Sequence, residues 1–280
     1  MHTSRGPLVI IGGAEDKQGD CKVLQEFVRI GGGKQARVLV FTVATKLPVE
    51  VGMEYVEVFK KLGVSDVRTF DISGRDSANK DTAVDLVRDA TCVFFTGGEQ
   101  LRITKLLGGT RIDAALHDAL RKGIVMAGTS AGASMMSSTM IVDGEGEKSP
   151  TLAIVQMAPG MEFLEGVVVD QHFAQRGRLG RLMSAVAQYP HHLGLGIDED
   201  TAIVVEQGTF RVIGRGAVSV VDAGGMTHTN LKTVTSDESL ALCDVKLHIL
   251  PQGYGFHLYT RQPITDWEAW KAKHHEELKA

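Results

Sequence analysis

The stretch IVMAGTSAGASMMSS, residues 124–138, sets a serine between glycines at the end of an apolar run. Gly128-Thr129-Ser130-Ala131-Gly132 fits the pattern G-x-S-x-G and lies where a strand should hand over to a helix. That context suits a nucleophile. A sharp turn lifts the hydroxyl above the sheet, and flanking glycines avoid a clash with the strand and helix beside it. The Ala131 N–H points into the same space, where an oxyanion can be stabilised. The same five residues also suit a plain tight turn carrying a surface serine. A hydroxyl is a weak nucleophile without a base, so a histidine must be found.

Of the ten histidines, His172 ends the apolar run GVVVDQHF, at the carboxyl end of a strand, where the sites of open α/β sheets gather. His191 and His192 follow Tyr189-Pro190 in a loop, and His274 and His275 stand in a polar tail. The plainer role for His172 is to cap a strand or helix. A catalytic base also needs a carboxylate to hold its tautomer. LGLGIDEDTAIVV offers Asp198, Glu199 and Asp200, and residue type alone does not choose among them or exclude a solvated acidic loop. The order Ser, His, acid differs from the Ser, acid, His of α/β-hydrolases, which points to a different doubly wound architecture, one resembling class I glutamine amidotransferases.

Two glycine turns complete the set. FFTGGEQL brings Gly97 and Gly98 to the end of a strand, with the Gly98 N–H as second oxyanion donor beside Ala131, and VIIGGAEDK ends the first strand in the same manner. Either can equally be an ordinary turn or a phosphate cradle at a helix N-terminus. Neither contains G-x-G-x-x-G or a Walker pattern, which weakens the case for a nucleotide site.

These residues need a rigid frame. The first half alternates short apolar runs (PLVIIGG, ARVLVFTVAT, VRTFDIS, TCVFFTGG, IVMAG) with segments of helical periodicity, including DCKVLQEFVRIGGG, EVGMEYVEVFKKLG, KDTAVDLVRDA and one or two helices in QLRITKLLGGTRIDAALHDALRKG. Strands apolar throughout and separated by helices indicate a parallel sheet covered on both faces. From about residue 201 the texture becomes that of antiparallel strands, with EQGT the clearest hairpin, and DWEAWKAKHHEELKA reads as a short amphipathic helix. The expected fold is α/β: a doubly wound, mostly parallel sheet with flanking helices and a C-terminal antiparallel extension, in one domain spanning 1–280.

Composition narrows the function classes. A net charge of -4 leaves no basic excess to neutralise phosphates, which argues against nucleic acid. No apolar stretch approaches a membrane span, and PLVII is too short for a signal sequence. Cys21, Cys92 and Cys243 show no metal-ligand spacing and read as reduced thiols of a cytoplasmic protein.

IGGAEDK, FFTGGEQL, AGTSAGAS, DQHFAQRGRLGRL and LGLGIDEDTA, in that order over roughly residues 8–205, closely resemble the cyanophycinase family, serine peptidases that degrade the storage polymer cyanophycin. More distantly the chain resembles dipeptidase E, an aspartyl dipeptidase of the same superfamily, which is not expected to share HFAQRGRLGRL. The resemblance implies Ser130 as nucleophile, His172 as general base and then acid, and Glu199 as the orienting carboxylate. It implies a substrate pocket of Gln100, Asp170, Gln171, Arg176, Arg178 and Arg181, and cyanophycin (multi-L-arginyl-poly-L-aspartate) as substrate. It implies no metal or organic cofactor, and a homodimer fits the same picture. The guanidinium forks of the three arginines suit substrate carboxylates. Asp170 or the acids of GGAEDK suit a substrate guanidinium. An aspartyl dipeptidase acting on small peptides and a non-catalytic small-molecule binding module are the rival readings.

Overall fold

A computed structural model describes residues 5–144, 146 and 149–274. Four apolar runs and one more polar edge segment form parallel strands: β1 (Leu8–Ile11), β2 (Arg37–Phe41), the edge strand β3 (Asp66–Phe70), β4 (Cys92–Phe95) and β5 (Val125–Thr129). They lie side by side in the order β1-β5-β4-β2-β3. Helices α1 (Lys22–Ile30), α2 (Pro48–Lys61), α3 (Asp81–Asp89), α4 (Gln100–Leu107) and α5 (Arg111–Arg121) connect them. The helical stretch after β4 is two helices. It breaks at Gly108-Gly109, and Thr110 restarts it by accepting the Asp113 N–H on its side chain.

Strand geometry sends alternate side chains to opposite faces. Val9, Val40 and Phe94 pack with α1 and α2 through Leu24, Phe27 and Phe59. Ile10, Phe41 and Phe95 pack on the other face with α3, α4 and α5 through Val87, Ile103 and Leu116. Both faces are therefore covered, as runs without polar alternation require.

After β5 the chain forms only the short helix α6 (Ala131–Ser134), then a hairpin of β6 (Thr139–Gly144) and β7 (Val155–Pro159). Next come β8 (Val167–Gln171), α7 (Leu179–Gln188) and β9 (Leu193–Ile197). Strand β10 (Thr201–Glu206) extends the main sheet antiparallel to β1, β11 (Thr209–Gly214) pairs antiparallel to β10, and β12 (Ala217–Asp222) follows. The EQGT hairpin forms as read, with φ positive at both Gln207 (48°) and Gly208 (77°), as a two-residue primed turn needs. The remainder is β13 (His228–Thr229), β14 (Leu242–Cys243), β15 (Lys246–Pro251), β16 (Gly255–His257), β17 (Gln262–Ile264) and α8 (Trp267–Lys273). Beyond 274 the expected tail helix, with His275, lies outside the described residues.

One feature differs from a single sheet with an extension. The strand that leads to His172 belongs to a second, four-stranded sheet, β15-β12-β9-β8. Val167, Val169, Leu195 and Val220 join its inner face to the core shared with α3–α5, while Val168 and Val221 on its outer face are covered by α7 through Leu182 and Val186. Being apolar on both faces, β8 and β9 read like strands of the main sheet, but the outer face of the second sheet has its own cover in α7.

Candidate active site

The site lies at the carboxyl ends of β5 and β8, one from each sheet. Ser130 follows β5 with φ 52° and ψ -109°. This is a strained backbone for a residue with a Cβ, costing roughly 1–3 kcal/mol, and it persists where the surroundings over-determine it. The flanking glycines are sterically required. A Cβ on Gly128 would stand 2.1 Å from the Gly132 carbonyl oxygen, and one on Gly132 would stand 2.4 Å from the Phe95 oxygen. Helix α6 packs that tightly against the strands.

The Ser130 Oγ is 3.0 Å from Nε2 of His172, and Nδ1 of His172 is 2.6 Å from Oε1 of Glu199. His172 is nearly buried and has φ 49°. Burial pushes its pKa below the ordinary 6.5, Arg176 and Arg178 push the same way, and Glu199 opposes them. A neutral imidazole with its Nδ1 proton on Glu199 leaves Nε2 free to accept the serine proton, the arrangement general-base catalysis needs.

The tertiary structure distinguishes the three neighbouring acids. Asp198 accepts the backbone N–H groups of Ala174 and Ala217, and Asp200 accepts that of Asp16. Both carboxylates tie loops together, which leaves Glu199 to face the imidazole. The Glu199 backbone is itself held by the Gln175 side chain, whose Oε1 accepts the Glu199 N–H at 3.0 Å.

The backbone groups expected to face an oxyanion, those of Ala131 and Gly98, are placed as follows. Ala131 opens α6, so its N–H has no acceptor within the helix. Gly97 abuts Ser130, a Cβ there falling 3.5 Å from the Ser130 Cβ, and Gly98 (φ 143°) packs against the Ala44–Thr45 backbone.

The residues expected to line a substrate pocket form a connected polar network. Gln100 donates its Nε2 to the Ile141 and Val142 carbonyls at 2.9 Å, joining α4 to the β6–β7 hairpin. Asp170 is fully buried and accepts Nε (2.7 Å) and Nη2 (2.5 Å) of Arg181, with Nη1 of Arg178 at 3.4 Å. Arg181 also donates to the Gly144 carbonyl at 2.9 Å. Arg178 donates to the backbone and side-chain oxygens of Gln171, whose Nε2 reaches Ser134 Oγ in α6 at 3.2 Å. Asp170 thus receives the chain's own arginines where a substrate guanidinium was an expected partner. Arg178, just ahead of α7, and Arg181 in its first turn both turn inward to Asp170, since a carboxylate buried this deeply needs compensating charge. Burial draws the Arg178 pKa down to about 10. Arg176 alone of the three is exposed, and its N–H donates to the His172 carbonyl at 3.1 Å.

A cavity of about 520 Å³ opens beside Ser130 on the α2 side, walled by Glu15, Lys17, Glu54, Tyr55 and Gly97. Lys17 lies 4.3 Å above the Tyr55 ring and 2.9 Å from Glu54. Tyr55, Lys17 and Thr129 escaped the sequence reading as site residues. The clues available were the GGAEDK turn, which Lys17 itself closes, and the Gly128–Gly132 pattern, which contains Thr129. Among the described residues no group of His, Cys, Asp and Glu is arranged to hold a metal ion, and no helix is long and apolar enough to cross a membrane.

Comparison with known proteins gives a consistent result. The profile of Peptidase family S51 matches residues 8–213. The chain is 37% identical to a cyanophycinase of Geminocystis herdmanii over 262 residues, covering 93% of this chain and 96% of that one. It is 39% identical to a cyanophycinase of a Nostoc species over 256 residues, covering 91% and 86%. In fold it is similar to a peptidase from an acI-B1 Actinobacterium, with TM-score 0.66 at 20% identity, covering 91% of this chain and 98% of that one. It is also similar in fold to a putative peptidase E of Listeria monocytogenes, with TM-score 0.53 at 13% identity, covering 76% and 100%.

Proposed function

The chain belongs to peptidase family S51, and from that membership we propose that it is a serine peptidase that degrades cyanophycin to β-aspartyl-arginine dipeptides. The observation that carries the mechanism is the relay from Ser130 Oγ through His172 to Glu199, at 3.0 and 2.6 Å, on a strained strand-to-helix turn.

In this reading Ser130 Oγ attacks a backbone carbonyl of the polymer and His172 Nε2 takes its proton. The oxyanion is held by the N–H groups of Ala131 and Gly98. As the C–N bond breaks, His172 gives the proton to the leaving amine. Water, deprotonated by the same imidazole, then hydrolyses the acyl-enzyme. Glu199 holds the tautomer and stabilises the imidazolium. No metal or organic cofactor takes part.

Arg176 is the fork that meets substrate carboxylates. Gln100, Asp170, Gln171, Arg178 and Arg181 shape the pocket wall behind it. The residues from 1 to 280 act as one peptidase domain in the cytoplasm. The homodimer finds support in Leu247 and Ile249, which are exposed on the edge strand β15 and offer an apolar edge for a second copy.

The test is incubation with purified cyanophycin and identification of the soluble products, beside the Ser130→Ala variant. β-Aspartyl-arginine from the active chain alone is the expected result. Cleavage of small aspartyl dipeptides with the polymer left intact would move the assignment to an aspartyl dipeptidase.

A further inference from the structure

The first βα turn holds a buried carboxylate that the mechanism above does not use. Glu15 is 5% exposed and, among the described residues, pairs with no lysine or arginine. Its two oxygens instead accept hydroxyl groups: Oε2 takes Thr129 Oγ1 at 2.5 Å, and Oε1 takes the Tyr55 phenol. A buried carboxylate is costly unless its lone pairs are met. Held only by neutral donors, it is a weak source of stability and a strong source of orientation.

The place of these donors matters. Thr129 is the last residue of β5 and immediately precedes Ser130. The strained Ser130 backbone is fixed on its C-terminal side by Ala133 and Ser134, whose N–H groups donate to the Ser130 carbonyl. On its N-terminal side it is fixed by the Ser130 N–H to Ile11 bond, at 3.1 Å, and by the Glu15–Thr129 contact.

The same turn touches the base. The His172 N–H donates to the Gly12 carbonyl at 2.7 Å. The imidazole lies flat against Gly13, where a Cβ would stand 2.3 Å from the ring. Consecutive left-handed residues, Gly13 (φ 100°) and Ala14 (φ 45°), fold the turn so that Glu15 points back beneath the elbow.

We propose that Glu15 is a positioning residue, acting through Thr129 to hold the Ser130 turn in register with His172. The proposal rests on Ser130 being the nucleophile. A carboxylate suits the task because it only accepts, so the Thr129 and Tyr55 hydroxyls both donate toward it and their rotors are fixed. The Tyr55 phenol is pushed well above its ordinary pKa, first by burial and then by Glu15, which keeps its proton in place as donor. A glutamine has the same shape, but its amide nitrogen donates, so one of the two hydroxyls loses its acceptor.

The experiment uses the full chain and two readouts, the second-order rate of labelling of Ser130 by a fluorophosphonate and kcat and KM on cyanophycin. Glu15→Gln is expected to lower the labelling rate and kcat by roughly 10- to 100-fold, because small misplacements of reacting groups cost that much. KM should change by less than about threefold, since binding of ground state and transition state separate in this way. Thr129→Val should reproduce the loss and Thr129→Ser, which keeps the hydroxyl, should restore most of it. Glu15→Gln with Thr129→Val should be no worse than either alone, as two members of one contact are not additive.

Wild-type labelling and kcat per folded molecule in both Glu15→Gln and Thr129→Val would overturn the proposal, whatever the change in thermal stability. Should Glu15→Gln fail to fold, the Thr129→Val and Thr129→Ser pair decides alone. A wild-type chain that is not labelled at Ser130, with Ser130→Ala still active, would instead remove the serine mechanism and this proposal with it.

Discussion

Arg181 grips Asp170 through two parallel bonds, Nε to Oδ2 at 2.7 Å and Nη2 to Oδ1 at 2.5 Å, with Asp170 wholly out of solvent. The pair anchors α7 to the end of β8, two residues before His172. Removing one partner leaves the other charged and buried, which costs about 3–5 kcal/mol. Asp170→Ala should therefore lower the unfolding free energy by that amount, with a lower urea midpoint, and reduce turnover as well. Arg181→Lys keeps the charge but not the fork and should lie between it and the wild type. Urea unfolding checks both, and a loss under about 1 kcal/mol in Asp170→Ala would show that the pair contributes little, as exposed pairs do.

Ser130→Ala should abolish turnover with the fold intact, and His172→Ala should be comparably severe. The double variant should be no worse, because the members of such a relay act as a unit. Glu199→Gln should reduce kcat by up to roughly 10⁴-fold through the wrong tautomer. Asp198→Asn should act mainly on stability, since its carboxylate holds the Ala174 and Ala217 N–H groups. Steady-state kinetics with circular dichroism separates the two behaviours. An inert Glu199→Gln would remove that residue from the relay.

The pH dependence follows from His172. Its folded pKa lies below 6.5, and only the neutral imidazole accepts the serine proton. The rate of Ser130 labelling should be flat through neutral pH and fall on the acid side, with a midpoint below 6.5. Glu199 raises the histidine pKa, so Glu199→Gln should move the acid limb further down while lowering the plateau. A wild-type midpoint at or above 6.5 would contradict the buried, arginine-flanked environment.

Thiol reagents should find one fast cysteine. Cys243 is exposed, whereas Cys21 and Cys92 are buried, and burial pushes the Cys92 thiol up to about 12. Since the thiolate is the reactive form, native alkylation should stop near one equivalent and leave activity unchanged. EDTA should leave it unchanged too. Mass spectrometry with an activity assay tests both, and loss restored by zinc would overturn the metal-free mechanism.

Arg176 is exposed and follows His172 by one short turn. Arg176→Lys should lower kcat/KM on cyanophycin by roughly 10- to 100-fold, the worth of a charge-assisted fork at about 1.5–3 kcal/mol, with the melting temperature unchanged. A wild-type kcat/KM would make Arg176 a solvated surface residue.

The sequence by itself determined the elements and the chemistry of their ends. Runs such as LVII and CVFF carry no polar alternation, so they had to be covered on both faces. Gly128 and Gly132 mark a turn too tight for side chains, and His172 stands at the end of an apolar strand. All of these are local, and periodicity and turn stereochemistry are enough to read them. The tertiary structure decided what depends on pairing across the chain. It assigned β8 to a second sheet, because a strand apolar on both faces does not say which sheet it joins. It brought the Glu199 carboxylate, and not Asp198 or Asp200, to the His172 ring, because that depends on which backbone N–H groups the loops bring to each carboxylate. It turned Arg178 and Arg181 inward to Asp170, and it set Glu15 beneath Thr129, 114 residues away in the chain. Spacing along a sequence carries no record of such distances, because they exist only once the sheets have packed.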